Sequence, residues 1–393
     1  MDVSYDSELV GKASDSQALF ELIGGDRLEQ VVCTRVDGVD TTLDDLLELT
    51  EWDGRRLDLY TFDGWLAEAA IQVAALLDKI PRITGDIAIM TSQRNPVELT
   101  DELMAKPKEI LCELEQVKEH LNNEVVQIID ELTILSAGAE SMLTLAIRQK
   151  DFIRLSDALR LEWSLFLRGL LGLLDPDTEF SMPPFETGSK LGAEALYALN
   201  LEALEAKYPM LVSPLKAAWN GRDIERYQID EGPTGLRAPR VNNQRMWSVI
   251  SPVSDAERIA QEHKGDVNHE RWDCSVTWGL AGAIAHTVLD NEMEGRTQIF
   301  VRPDLEAFAA ELHCCDWRPL LEVDSTILCT TVSDYRWTLR NCFVHQDRIR
   351  RFSSPNLLAV DPELYVELHE QSGHTELSLK MEDHTGISRG RGW

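Results

Sequence analysis

Along this chain the spacing of apolar positions changes character three times. In the first stretch apolar residues alternate in short runs: Val32, Thr34 and Val36 lead into Asp37-Gly38, a hairpin-turn pair, and residues 57–61 repeat the strand pattern. A helix from about residue 65 to 79 follows, with Leu66, Ala69, Val73, Leu76 and Ile80 three and four apart. Residues 1–20 are polar and are expected to be loose. Residues 1–95 thus predict a small α+β head.

After Asn95-Pro96 the spacing lengthens. From Pro107, which suits a first helical turn, Ile110, Leu114, Val117, Leu121, Val125, Ile128, Leu132 and Leu135 form nearly a heptad seam with acidic residues outside it. A polar break at Lys150-Asp151 precedes a second run, Phe152, Leu155, Leu159, Trp163, Phe166, Leu170 and Leu174. Two long helices joined this way pair antiparallel, so residues 96–180 predict a helical hairpin. Its seam is expected to serve mutual burial within one chain; the alternative is a surface for a protein partner or a second copy. Gly138, Gly169 and Gly172 permit close approach or weaken the helix locally. Residues 175–190, rich in Pro, Ser and charge, mark a boundary.

From residue 190 to 393 strand-like and helical patterns alternate. A helix over 191–207 stops at Tyr208-Pro209, and strand-like pieces at 225–229 and 246–250 flank the loop G-P-T-G-L-R-A-P-R. Ser254 and Glu257 have the spacing of a capping box. Residues 272–304 then outline a β-loop-α-β unit. A half-apolar run ends at Trp278, Gly279 and Gly282 follow, Ile284, Val288 and Leu289 repeat with helical spacing, and a second strand-like run ends in Arg302-Pro303-Asp304. In such a unit glycine makes the tight turn, free N–H groups at the helix start can hold an anion, and a side chain about 20 residues on can reach a ribose. The glycine loop is either a ligand loop or a turn that lets helix and strand pack closely. The fold class expected is α/β: a C-terminal Rossmann-like domain preceded by a long α-helical hairpin and a small α+β head.

Composition narrows the partners. With 38 basic and 68 acidic residues the 393-residue chain carries −30, which repels nucleic-acid phosphate and anionic lipid. No apolar run reaches the roughly 18 residues of a membrane span; the nearest, 165–174, holds Arg168. The acidic start, unlike a signal peptide, points to the cytoplasm. The seven cysteines are scattered, as expected of reduced thiols, and His313-Cys314-Cys315 reads as a buried helix end, with no metal site expected.

Within the C-terminal half three runs occur in a telling order: N-L-E-A-L-E-A-K-Y-P (200–209), W-S-V-I-S-P-V-S-D-A-E-R (247–258) and the glycine-loop unit closing in R-P-D-L-E-A-F (302–308). The segments D-W-R-P-L-L-E (316–322) and D-P-E-L-Y (361–365) follow in place. Residues 190–370 resemble the N-terminal Rossmann-like domain of bacterial motility accessory factor (Maf) proteins, flagellin glycosyltransferases. The family's loop is usually richer in glycine and its second strand ends in Glu-Pro-Asp, where this chain has Arg302. A guanidinium only donates, so the substitution points away from a ribose diol, as in S-adenosylmethionine, and toward phosphate. The family's transferase domain follows this region, so the resemblance implies no catalytic residues here, and the cofactor is open.

A basic cluster, Arg336, Arg340, Arg348, Arg350 and Arg351 with Trp337, Phe343 and His345 among them, could clamp a nucleotide-sugar phosphate or an acidic glycan, or be a solvated face paired to the chain's own carboxylates. The candidate ligand residues are Gly279, Gly282, Arg302, Asp304, Arg336 and Arg340. His286 is expected to be a packed or capping histidine. The reading that follows is an auxiliary or non-catalytic Maf-like protein of flagellin or surface glycosylation, binding a partner through the hairpin and a phosphorylated nucleotide or nucleotide-sugar. Its alternatives are an S-adenosylmethionine-dependent methyltransferase and an acidic adaptor without ligand; a homo-oligomer fits each.

Overall fold

The computed structural model of the chain describes residues 1–42, 45–46, 54–89, 96–118, 121–177, 186–262, 274–278, 297–342, 349–354 and 356–370. The elements begin with β1 (Asp2–Tyr5), β2 (Glu8–Lys12), α1 (Ser16–Ile23), α2 (Gly25–Leu28), β3 (Val31–Val36), β4 (Val39–Thr41) and β5 (Arg56–Thr61). The long helices follow: α3 (Phe62–Ile89), α4 (Pro96–Gln116), α5 (Asn123–Gln149), α6 (Phe152–Ala158), a π-helical turn (Leu159–Trp163) and α7 (Ser164–Leu174). Next come α8 (Ala193–Lys207), α9 (Pro209–Gly221), β6 (Tyr227–Glu231), β7 (Arg237–Val241), β8 (Gln244–Arg245) and α10 (Pro252–Glu262). The chain continues through β9 (Cys274–Trp278), β10 (Thr297–Val301), α11 (Leu305–Cys314), α12 (Arg318–Glu322), β11 (Thr326–Cys329), α13 (Val332–Cys342), β12 (Ile349–Ser353), α14 (Leu357–Val360) and α15 (Pro362–Glu370). Two compact units result, residues 1–80, 100–137 and 164–182 in one and 81–99, 138–163 and 183–393 in the other. Among the described residues no helix is long and apolar enough to cross a membrane.

The first unit carries a mixed five-stranded sheet in the order β2-β1-β5-β3-β4, with β1 parallel to β5 and the other neighbours antiparallel. Residues 1–20, expected to be loose, supply two of its strands and the first part of α1. Their polarity belongs to an edge: β2 is largely exposed, while Met1, Val3 and Leu19 enter the core with Leu57 and Leu59. Asp15 caps α1 by accepting from the Ala18 N–H at 2.8 Å. Asp37 (φ 54°) and Gly38 (φ 80°) are both left-handed, the turn that suits the twist of the β3–β4 hairpin.

The helical seam differs from its expected register. Helix α4 begins at Pro96, ahead of Pro107, and stops at Gln116; α5 restarts at Asn123. Glu115 accepts from Thr133 at 2.7 Å and Lys118 pairs with Asp130, so the two helices run antiparallel about the break. That break resets the phase. The buried positions of α5 are Ile129, Leu132, Ser136, Ala139, Leu143 and Ala146, a three-four alternation, while Ile128 is 41% and Leu135 39% exposed. A Cβ at Gly169 would stand 2.7 Å from Leu132 Cδ2, so glycine lets α7 approach α5.

In the second unit β9 to β12 form a four-stranded sheet in the order β11-β10-β9-β12, parallel at every pair. Every residue of β9 is buried, as expected of a strand covered on both faces. Phe300 packs on one side with Leu201, Leu204, Leu215, Phe308, Leu312 and Trp317; Val276, Trp278, Ile299 and Val301 pack on the other with Tyr335, Leu339 and Leu364. The parallel sheet, with helices on both faces, gives the α/β, Rossmann-like architecture.

Two local readings change. Residues 246–250, read as a strand, are buried without ladder pairing; Asp157 holds them instead, accepting from Ser248 Oγ (2.6 Å), Val249 N (3.1 Å) and Arg245 Nη1 (2.7 Å). Helix α10 starts at Pro252, so Ser254 lies inside it. Its cap comes from afar: Glu186 accepts from Val253 N, Ser254 N and Ser254 Oγ at 2.9–3.0 Å.

Candidate ligand crevice

Taken in chain order, the strands of the parallel sheet stand third, second, first, fourth. The connections from β9 and to β12 therefore leave in opposite senses, and a crevice opens at the carboxyl ends where they part. A cavity of about 570 Å³ lies there, within the size range of small-molecule sites. Trp278 and Val301 end its strands, Pro239, Val241 and Trp247 form one wall, and Leu357, Val360 and Leu364 another. Trp247 is oriented by its indole N–H, which donates to Arg237 O at 2.8 Å, and Trp278 by an edge-to-face contact with Tyr335.

Charge in the crevice is mostly acidic and already engaged. Asp304 caps α11, accepting from Glu306 N and Ala307 N at 3.0 Å, and its other oxygen accepts from Tyr227 Oη at 2.7 Å. Burial, reinforced by that carboxylate, pushes the Tyr227 phenol far above its ordinary range, so it stays a donor. Asp361 likewise takes the Leu364 N–H at 3.0 Å at the start of α15. Both helix N-termini at the crevice thus carry their own carboxylate, and an incoming phosphate meets a neutralised dipole. Arg226, about half exposed, approaches Asp304 to 3.9 Å.

Arg302 also lines the crevice, but its guanidinium is spent. Nε and Nη2 donate to Glu311 at 2.7 and 3.2 Å, and Nη1 to Thr277 O and Val301 O at 3.0 and 2.8 Å, with the side chain 4% exposed. A phosphate would have to displace Glu311. Arg302 therefore builds the floor of the crevice, with Asp304 also lining it. Gly279, Gly282 and His286 lie outside the described residues, as do Arg348, Phe343 and His345. Arg336 and Arg340 are exposed on α13 beside Trp337, which is 66% exposed, and lie outside the crevice walls.

The chain's recognisable runs turn out to be ties. Asn200, fully buried, donates to Leu312 O (2.7 Å) and Cys315 O (2.8 Å) and accepts from Trp317 N (2.8 Å). Lys207 donates to Leu321 O and Val323 O, and Tyr208 bridges Thr326 O and Leu328 N. Together they strap α8 to the segment running from α11 into β11. His313 and Cys314 are the buried end of α11. The two crevice indoles were not singled out in the sequence; Trp247 and Trp278 open or close runs whose glycines and charges drew attention first.

No protein-family model matches the chain, and no curated protein matches it. Among solved structures, a Maf glycosyltransferase from Magnetospirillum magneticum AMB-1 is similar at 14% identity over 46% of this chain and 36% of that one, with a TM-score of 0.31. This faint likeness spans about a third of that protein's length and carries no argument; the strand order carries the fold.

Proposed function

We propose that this chain is an auxiliary, ligand-binding protein of the Maf-like kind, acting in surface or flagellin glycosylation beside a separate transferase. Its parallel sheet would seat the nucleoside part of a small molecule, such as a nucleotide-sugar, in the crevice. The observation that carries the reading is the cavity at the switch point, lined by Trp247 and Trp278 with Asp304 at its edge. Indole faces suit a planar base, and a carboxylate accepts from hydroxyls. In this reading Gly279 and Gly282, next in sequence after β9, would approach the ligand, Asp304 meets the ribose, and Arg302 fixes the floor. Arg336, Trp337 and Arg340, outside the crevice walls, would face a protein partner. The acidic rim favours a second reading, a cationic nucleoside such as S-adenosylmethionine.

Tryptophan fluorescence and melting of the full chain with uridine, UDP-N-acetylglucosamine and S-adenosylmethionine separate these. Binding at 100 times the dissociation constant adds about 2.7 kcal/mol of stability, a clear melting shift. Ala307→Trp, which fills the cavity, should abolish both signals. A response to the uridine compounds supports the first reading, and one confined to S-adenosylmethionine the second. No response to any of the three, or one that survives Ala307→Trp, overturns the crevice as the site. Sugar turnover by the chain alone overturns the auxiliary role.

A further inference from the structure

A different part of the second unit holds a histidine one proton short of a complete set of partners. His313 is fully buried at the end of α11, with its ring 3.9 Å from that of Tyr197 in α8 and 4.1 Å from that of Trp219 in α9, centroid to centroid. Nδ1 lies 2.7 Å from Ala309 O, and because a carbonyl only accepts, Nδ1 carries the hydrogen. The neutral ring then has its lone pair on Nε2, which no hydrogen bond from the described residues satisfies. Facing it at 3.6 Å is Glu194 Oε2, on a side chain 82% exposed. Imidazole lone pair and carboxylate repel; with one proton between them they attract.

The other groups around the ring keep their charge. Burial and the Glu194 carboxylate push the Tyr197 phenol up to about 12, so the charged group that α8 presents to the ring is Glu194. From the segment after α9, the Arg222 guanidinium stacks 3.5 Å over the Trp219 ring. Within α11 the facing group is the Ala309 carbonyl. Burial lowers the imidazole's proton affinity, the Ala309 carbonyl and Glu194 raise it, and Arg222 lowers it, with burial dominant.

We propose that His313 and Glu194 form a proton-operated clasp. On acidification Nε2 binds a proton and Glu194 leaves water to accept from it, tying the first turn of α8 to the end of α11. That turn is the place where a tie matters: its N-cap is Gly192, which offers no side chain to the free N–H groups. The reaction is proton binding alone, with no bond between heavy atoms made or broken. Because the folded pKa lies below the unfolded one, the linked stability is fully present above the unfolded value of about 6.5 and declines as pH falls through the folded value. Glu194 limits that decline.

The test is a pH titration of His313 by imidazole NMR, with amide exchange of residues 194–197 corrected for intrinsic rate, in the natural chain and in Glu194→Gln, an exposed substitution that leaves the core intact. Proton affinity of His313 should fall about tenfold in Glu194→Gln, and protection of 194–197 should grow on acidification only in the natural chain. Equal affinity in both proteins, an Nε2 that stays unprotonated down to pH 5 in the folded chain, or protection that does not change with protonation would overturn the clasp.

Discussion

Helix α5 and the surroundings of the parallel sheet are held by different means. Along α5 order comes from a repeated apolar stripe, Ile129, Leu132, Ala139, Leu143 and Ala146, in which each residue is one of many similar contacts. In the sheet unit single buried polar side chains join distant segments: Asn200 to the turn after α11, Asp157 to residues 245–249, and Arg302 to Glu311. A stripe is degenerate in detail but strict in phase. A buried polar tie is strict in identity, because removing one partner leaves the others unsatisfied in low dielectric.

Loss of phase should cost most. Leu132→Asp, a charge at a 3% exposed position of the stripe, should destabilise by about 4 kcal/mol or more, whereas Ile128→Asp, one helical position out of phase, should cost under about 1 kcal/mol. Denaturant melts of the two proteins check this, and equal losses would erase the phase assignment. Next comes Arg302→Met, which strands Glu311 and should cost about 3–5 kcal/mol, largely recovered by adding Glu311→Leu, since a buried pair and an apolar pair are often of similar stability. If the double variant melts no higher than the single, the guanidinium does more than neutralise Glu311. A smaller loss than that of Arg302→Met, about 2–3 kcal/mol, is expected for Asn200→Ala, which leaves Leu312 O, Cys315 O and Trp317 N without their partner. Near-native melting would mean that water replaces the amide.

The pattern of the chain alone determined the periods: alternation in the head, three-four spacing in the long helices, and the strand-to-helix switch that set Cys274–Trp278 as a strand. It also determined the hairpin turn at Asp37-Gly38, because the conformations required there belong to few residue types. Phase across a break was not legible, since residues 117–122 contain apolar side chains that continue the seam on paper while the helix itself stops. Nor was the edge strand at residues 8–12, whose exposure makes its polarity resemble a loop. Tertiary structure decided the partners of charge. Arg302 reads in sequence as a free cation at a strand end, and only the fold brings Glu311, nine residues on within α11, back over it. Asp304 reads as part of a motif, and only the fold sets it against Tyr227 at the mouth of a cavity. Periodicity is a local property that each segment carries by itself. Pairing between residues 77 or 117 positions apart is fixed only when the strands and helices have chosen their neighbours.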